Sequence, residues 1–167
     1  MANINYEKKI GAFVTCNGKE IGMVISVAPL VIMALSSVEH DGKMDYLGWC
    51  NQFCGIRDRE NAQDAVDKFH TEGTMQGDWH LPTIAELRLL RENYDTLDQA
   101  MFDRKIRAYN EGDNRMWNHF LGLPTAIKIA TYHVSDGNSD DAYYFERDRI
   151  IELRGCYLTA LPILNVA

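Results

Sequence analysis

The densest group of side chains able to do chemistry is the acidic stretch from Asp136 to Asp141. Asp136, Asn138 and Asp140 reproduce the D-x-N-x-D start of a calcium-binding loop, in which alternate oxygens converge on a hard cation. Such a loop takes glycine at its sixth position and glutamate at its twelfth, where this chain has Asp141 and Arg147. The pattern is incomplete, and we expect no calcium site here.

The cysteines are the next candidates. Cys50 and Cys54 would share one face of a helix and could hold zinc with two further ligands, but no second closely spaced pair of Cys or His follows. We therefore predict no metal and no cofactor. The four cysteines are otherwise far apart, so we expect free thiols, with a bridge from Cys16 to Cys156 as the alternative.

Catalysis by a cysteine nucleophile would start from Cys156. This residue lies in an apolar, strand-like run, where burial favours the neutral and unreactive thiol. The chain also lacks the glycine-rich phosphate-binding loops, the G-x-S-x-G nucleophile motif and the H-E-x-x-H zinc motif. These features favour a protein that is not an enzyme.

The composition is ordinary for a globular domain. With 167 residues, of which 46% are hydrophobic and 25% charged, the chain can bury a real core, and we expect one domain over residues 1–167. Its net charge of -7 argues against a nucleic-acid partner, because phosphate binding needs a cationic face. We see neither a secretory signal nor a membrane span, and expect a cytoplasmic or virion-associated protein.

The first part of the chain predicts β-structure. Residues 10–16 and 19–27 are rich in β-formers and flank Asn17-Gly18, a dipeptide that favours a type I′ hairpin turn. Residues 30–35 are apolar throughout, which predicts a strand buried on both faces. Extended segments return at 126–132, 142–146, 150–153 and 156–164, so the simplest topology places the first and last strands in one sheet.

The middle of the chain predicts helices. Apolar residues at helical spacing indicate a helix over residues 58–72, ended by Gly73. Thr83 and Glu86 form a capping box for a helix over residues 84–94, and Thr96 and Gln99 offer a second cap for a helix to about residue 107. The predicted buried faces consist of Ala62, Ala65, Val66 and Phe69 in the first helix and Ile84, Leu87, Leu90 and Tyr94 in the second.

The most specific motif begins at Trp79 and reads W-x-L-P-T-x-x-E-L through Leu87. It resembles the signature of the Lcl C-terminal domain family, which is related in fold to C-type lectins and to the formylglycine-generating enzyme domain. The resemblance extends loosely to residues 21–25 and 142–145, and the chain departs from the family pattern at 131–135 and 160–163. The resemblance implies an α+β, C-type-lectin-like domain, with a mostly antiparallel sheet and two to three helices in the middle of the chain.

The resemblance also directs attention to the C-terminal half, where domains of this fold class build their binding surfaces. Residues 132–144 are rich in Tyr, Ser, Asn, Asp and Gly, which suit adaptable recognition loops, although an ordinary solvated turn uses the same residues. We also expect the polar stretch before Trp117 to be exposed, and Trp49 and Trp79 to be core. The candidate ligand-binding residues are Tyr132, His133, Ser135, Asp136, Asn138, Ser139, Asp140, Asp141, Tyr143 and Trp117.

The expected function is that of a non-enzymatic binding or structural module. Because some relatives are adhesins or phage receptor-binding proteins, the resemblance implies a protein or glycan ligand, a phage-borne or surface-assembly setting, and a homo-oligomer or assembly partner. Two alternatives stay open. One is an enzyme of the formylglycine-generating type, which would use Cys156, and the other is a virion structural subunit without a ligand.

Overall fold

The computed structural model describes residues 3–35, 38, 59–112, 128–130, 141–144, 148–152 and 160–166. Four strands come first, three helices follow, and four further strands end the described chain. The elements are β1 (Ile4–Asn5), β2 (Phe13–Cys16), β3 (Lys19–Val27), β4 (Leu30–Met33), α1 (Arg59–Lys68), α2 (Ile84–Glu92), α3 (Tyr94–Asn110), β5 (Lys128–Ala130), β6 (Asp141–Tyr144), β7 (Arg149–Glu152) and β8 (Ile163–Asn165).

The described strands form two antiparallel sheets. The larger has the order β1-β2-β3-β4-β8, and the smaller has the order β5-β6-β7. The last strand pairs with β4, with Ile32 opposite Leu164, so both ends of the chain contribute to one sheet, as predicted. The α+β class, the antiparallel sheet and the three central helices are confirmed.

The hairpin formed by β2 and β3 has the predicted tight turn. Cys16 lies opposite Lys19, which leaves Asn17 and Gly18 as the two turn residues. Their φ angles are 50° and 77°, and a type I′ turn requires positive φ at both positions. The Cys16 thiol at the end of β2 is buried and free, which excludes the alternative of a bridge from this residue.

Alternate residues of the central strands of the large sheet point to opposite sides. Both faces of this sheet are covered, and each contributes to its own buried cluster. Met33 and its neighbours on one face pack against residues of α2 and α3. Ile32 and its neighbours on the other face pack against α1, Phe69 and Trp79. The prediction of a fully buried strand after residue 30 is confirmed.

Two further contacts hold the helices and strands at fixed distances. A Cβ atom on Gly22 would lie 2.6 Å from Cγ2 of Ile32 and 2.7 Å from the carbonyl oxygen of Met33, so β3 has room only for glycine there. Arg104 of α3 donates from Nε to both Glu20 oxygens, at 2.8 and 3.0 Å, and this largely buried ion pair fixes α3 against β3.

The helix boundaries correct three predictions. Helix α1 ends at Lys68 instead of residue 72, although Phe69 is still buried. Helix α3 begins at Tyr94, so the second capping box at Thr96 was wrong. The reason is tertiary, because the Asn93 side chain donates to the carbonyl oxygen of Ile25 at 3.1 Å and separates α2 from α3. Helix α3 also extends past residue 107 to Asn110, which brings Ala108 into the core.

No helix in the described part of the chain is both long enough and apolar enough to cross a membrane.

Candidate functional site

The predicted recognition residues are only partly covered by the described residues. Asp141 and Tyr143 belong to β6, where Asp141 pairs with Glu152 and Tyr143 lies between Ile129 and Ile150. The other candidates lie outside the described residues: Tyr132, His133, Ser135, Asp136, Asn138, Ser139, Asp140 and Trp117. Cys50, Cys54, Cys156 and Trp49 lie outside them as well.

The strands on either side of the predicted recognition stretch are antiparallel neighbours. Ala130, the last residue of β5, lies opposite Ala142 of β6. The chain therefore leaves the small sheet and returns to it at the same end. Residues 131–140 join β5 to β6, and they contain seven of the ten candidates.

A contact between helix α2 and the small sheet locates that sheet against the rest of the chain. Arg88 Nε donates to Asp148 Oδ1 at 3.3 Å, and Asp148 directly precedes β7 with a φ of 49°. Both side chains are partly exposed, so this ion pair contributes at most about 1 kcal/mol. The ion pair therefore adds little stability, but it shows where the small sheet lies: next to α2, a helix whose start is held by a capping box.

The motif from Trp79 to Leu87 is anchored in the core. The Trp79 side chain is 1% exposed and meets the Phe69 ring in a T-shaped contact, with 5.1 Å between ring centroids. Its indole Nε1 donates to Thr74 Oγ1 at 3.0 Å, which satisfies the polar atom of a buried ring. Leu81 is fully buried. The core prediction for Trp79 is confirmed.

Glu86 is the polar centre of the motif. Its Oε1 accepts from the Thr83 backbone amide at 2.8 Å, while Thr83 Oγ1 accepts from the Glu86 amide, which completes the predicted capping box. His80 Nε2 lies 3.1 Å from both carboxylate oxygens, and Asn165 Nδ2 donates to Oε2 at 3.0 Å. We call Glu86, His80, Thr83 and Asn165 the Glu86 cluster.

The electrostatics of the cluster keep Glu86 ionised. Burial raises the pKa of this carboxyl group, but the hydrogen bonds from His80, Thr83 and Asn165 and the charge of His80 together outweigh burial. The resulting pKa lies below the ordinary value of 4.5. Both oxygens of the Glu86 carboxylate already accept hydrogen bonds. This arrangement suits a residue that holds structural elements together better than a general base, which needs an oxygen free to take a proton.

The cluster also joins the motif to the end of the chain. The amide of His80 donates to the carbonyl of Ile163 at 2.9 Å, and the amide of Ile163 donates back at 2.9 Å. The chain before α2 thereby pairs with the free edge of β8. The capping box predicted the local role of Glu86, but no local pattern predicts its contact with Asn165, which lies 79 positions away in sequence.

In the part of the chain that the structure describes, no three His, Cys, Asp or Glu residues are grouped closely enough to hold a metal ion. Comparison with protein-family models, curated proteins and solved structures finds no match to this chain.

Proposed function

We propose that this chain is a non-enzymatic binding module of C-type-lectin-like fold that recognises a protein or a glycan through residues 132–144. The observation that carries the proposal is the separation of the two sheets. The large sheet is completed by β8 on β4, whereas β5, β6 and β7 form a sheet of their own. This arrangement agrees with the mostly antiparallel, helix-centred domain that the W-x-L-P-T-x-x-E-L motif implies.

The separation of the two sheets suggests that the large sheet provides stability and that the small sheet carries the recognition residues. The strand order of the large sheet does not depend on β5–β7, so the connection between β5 and β6 is free to vary in sequence without changing the pairing of the large sheet. Loops held by a rigid scaffold are common sites of binding. The antiparallel pairing of β5, β6 and β7 would hold the two ends of the connection, and the Arg88–Asp148 contact links this sheet to α2.

The chemistry of the connection suits a polar ligand surface. Tyr132 and Tyr143 supply rigid contact area, while Ser, Asn and Asp side chains between them supply hydrogen bonds. Such a surface matches the hydroxyl groups of a glycan or the polar surface of a protein. We expect binding to be independent of calcium, since the acidic stretch lacks the glycine and glutamate of a complete calcium loop.

A glycan array with and without calcium tests the sugar-binding form of the proposal. The decisive variant replaces residues 135–140 by Gly and Ser at unchanged length, and its control replaces Met75 and Gln76, two exposed residues of a turn near the motif. We expect the first variant to lose binding and the control to keep it, with equal thermal stability. The proposal would be contradicted if the protein bound no glycan on the array and no candidate receptor protein.

The two alternatives have their own outcomes in the same experiments. A formylglycine-generating enzyme would depend on Cys156, whereas we expect a Cys156→Ser variant to bind as the wild type does. A virion structural subunit would assemble in sedimentation experiments without binding any ligand. We place the protein on a phage particle or a bacterial surface assembly, and tail or capsid genes beside its own gene would agree with that setting.

A further inference from the structure

A second surface of the molecule, far from β5–β7 in sequence, contains an open cleft. It has a volume of about 500 Å³ and lies between residues 7–12 and the first three turns of α3. This volume is within the range of about 300–1,000 Å³ that is usual for small-molecule sites. Partly buried Ile10, Ala12 and Ala100 form its apolar floor, and exposed carboxylates stand at its rim.

The floor is held in place by a close approach of the backbone to the helix. Gly11 has a φ of +85°, and a Cβ atom there would lie 3.1 Å from Cβ of Ala100. Ile10 and Ala100 both pack against the core cluster that α2 and α3 share with the sheet. The cleft is therefore a preformed feature of the fold.

The rim is acidic. Glu7, Asp95 and Asp103 contribute three carboxylates against the single ammonium of Lys9. Within the described residues, Glu7 and Asp95 form no hydrogen bond or ion pair through their side chains, and Asp103 accepts only from Gln99 Nε2, at 2.8 Å. Asp95 in the first helical turn complements the helix dipole, but Asp103 in the third turn has no such structural role.

The spacing of the carboxylates suits an elongated ligand. Asp95, Gln99 and Asp103 follow each other at four-residue intervals along one side of α3. A rise of 1.5 Å per residue separates the two aspartates by about 12 Å along the helix axis. Burial, followed by the charges of Asp98 and Asp95, raises the pKa of Tyr94, which agrees with a negative potential at this end of the helix.

We propose that this cleft binds a linear aliphatic polyamine, with its ammonium groups at the rim carboxylates and its methylene chain on the apolar floor. Charge complementarity selects a cation, and the floor selects one with an aliphatic chain. A bare divalent cation fits less well, because no three acidic or metal-ligating residues of the described chain are grouped closely enough to hold an ion. The proposal does not depend on the function proposed for residues 132–144.

Spermidine is the probe for the test. Its titration into the isotope-labelled full chain, followed by NMR at constant ionic strength, should shift the amides of residues 10–12 and 96–103 in a saturable manner. Since exposed ion pairs are weak and screened by salt, we expect modest affinity that falls as salt is added. An Asp103→Asn variant should raise the dissociation constant about threefold, and adding Glu7→Gln should raise it about tenfold in total.

The matched control is Asp67→Asn on α1. Asp67 accepts from Gln63 Nε2 at 2.7 Å, the same four-residue pairing that Gln99 makes with Asp103, but it lies outside the cleft. This control should leave the affinity unchanged. The proposal is overturned if Asp67→Asn weakens binding as much as Asp103→Asn, or if the shifts spread evenly over the acidic surface. Equal shifts with magnesium, or shifts with a lysine peptide but not with spermidine, would overturn it as well.

Discussion

Replacing Glu86 by glutamine should lower the free energy of unfolding by about 2 kcal/mol at neutral pH. Glutamine keeps the shape of the side chain, and its oxygen can still accept from the Thr83 amide. Its new NH₂ group, however, would face the Asn165 donor, so that hydrogen bond is lost, and the His80 bond, which can still reach the remaining oxygen, loses the charge of its acceptor. Each of these hydrogen bonds is worth about 1.5 kcal/mol or more when buried, but both partners are partly exposed and recover some hydration.

Urea denaturation of the wild type and the variant measures this loss, and an unchanged slope with urea would show that the unfolded states are comparable. The control is Glu92→Gln in the last turn of the same helix, where the side chain is exposed. We expect this control to change the stability by less than about 0.5 kcal/mol. An equal loss in both variants would refute the structural role of Glu86, because removal of a helical carboxylate alone would then explain the effect.

The pH dependence gives an independent check of the same reasoning. The folded-state pKa of Glu86 is lowered from the ordinary value of 4.5, so its stabilising contribution is complete above that pH and is lost as the pH falls through the folded-state pKa. The difference between wild type and Glu86→Gln should therefore be largest at neutral pH and shrink as the pH falls below 4.5. A difference that stays constant down to pH values where the carboxyl is protonated would contradict the assignment.

Three further experiments, each on one or two substitutions, test the packing that positions the site. Gly22→Ala should lower the free energy of unfolding by about 3 kcal/mol because the new Cβ would overlap β4. Gly18→Ala is strained only through its positive φ and should lower it by about 1 kcal/mol, and thermal melts of both variants measure the difference. Glu20→Gln and Arg104→Gln, combined in a double-mutant cycle, should show a coupling of about 2 kcal/mol, and additive losses would contradict the ion pair. Trp79→Phe should cost about 2 kcal/mol through a cavity and a lost hydrogen bond, measured by urea denaturation, and no loss would argue against its anchoring role.

Local sequence patterns predicted the turns, helix starts and strands whose stabilising interactions lie within a few neighbouring residues. Asn17-Gly18 specified a hairpin turn because both residues tolerate positive φ, and Thr83 with Glu86 specified a helix start because a capping box closes within four residues. The apolar run after residue 30 indicated a strand buried on two sides. These predictions needed no knowledge of distant parts of the chain, and the structure confirms each of them.

Tertiary structure decided everything that depends on partners far away in sequence. Asn93 ends one helix and begins the next because it reaches Ile25, which overrode the local cap at Thr96. Asn165 joins Glu86 because β8 returns to the edge of the large sheet, and the acidic cleft exists because residues 7–12 pass close to α3. Side-chain periodicity states which face of an element is buried, but the identity of the neighbour follows only from the packing of the whole chain.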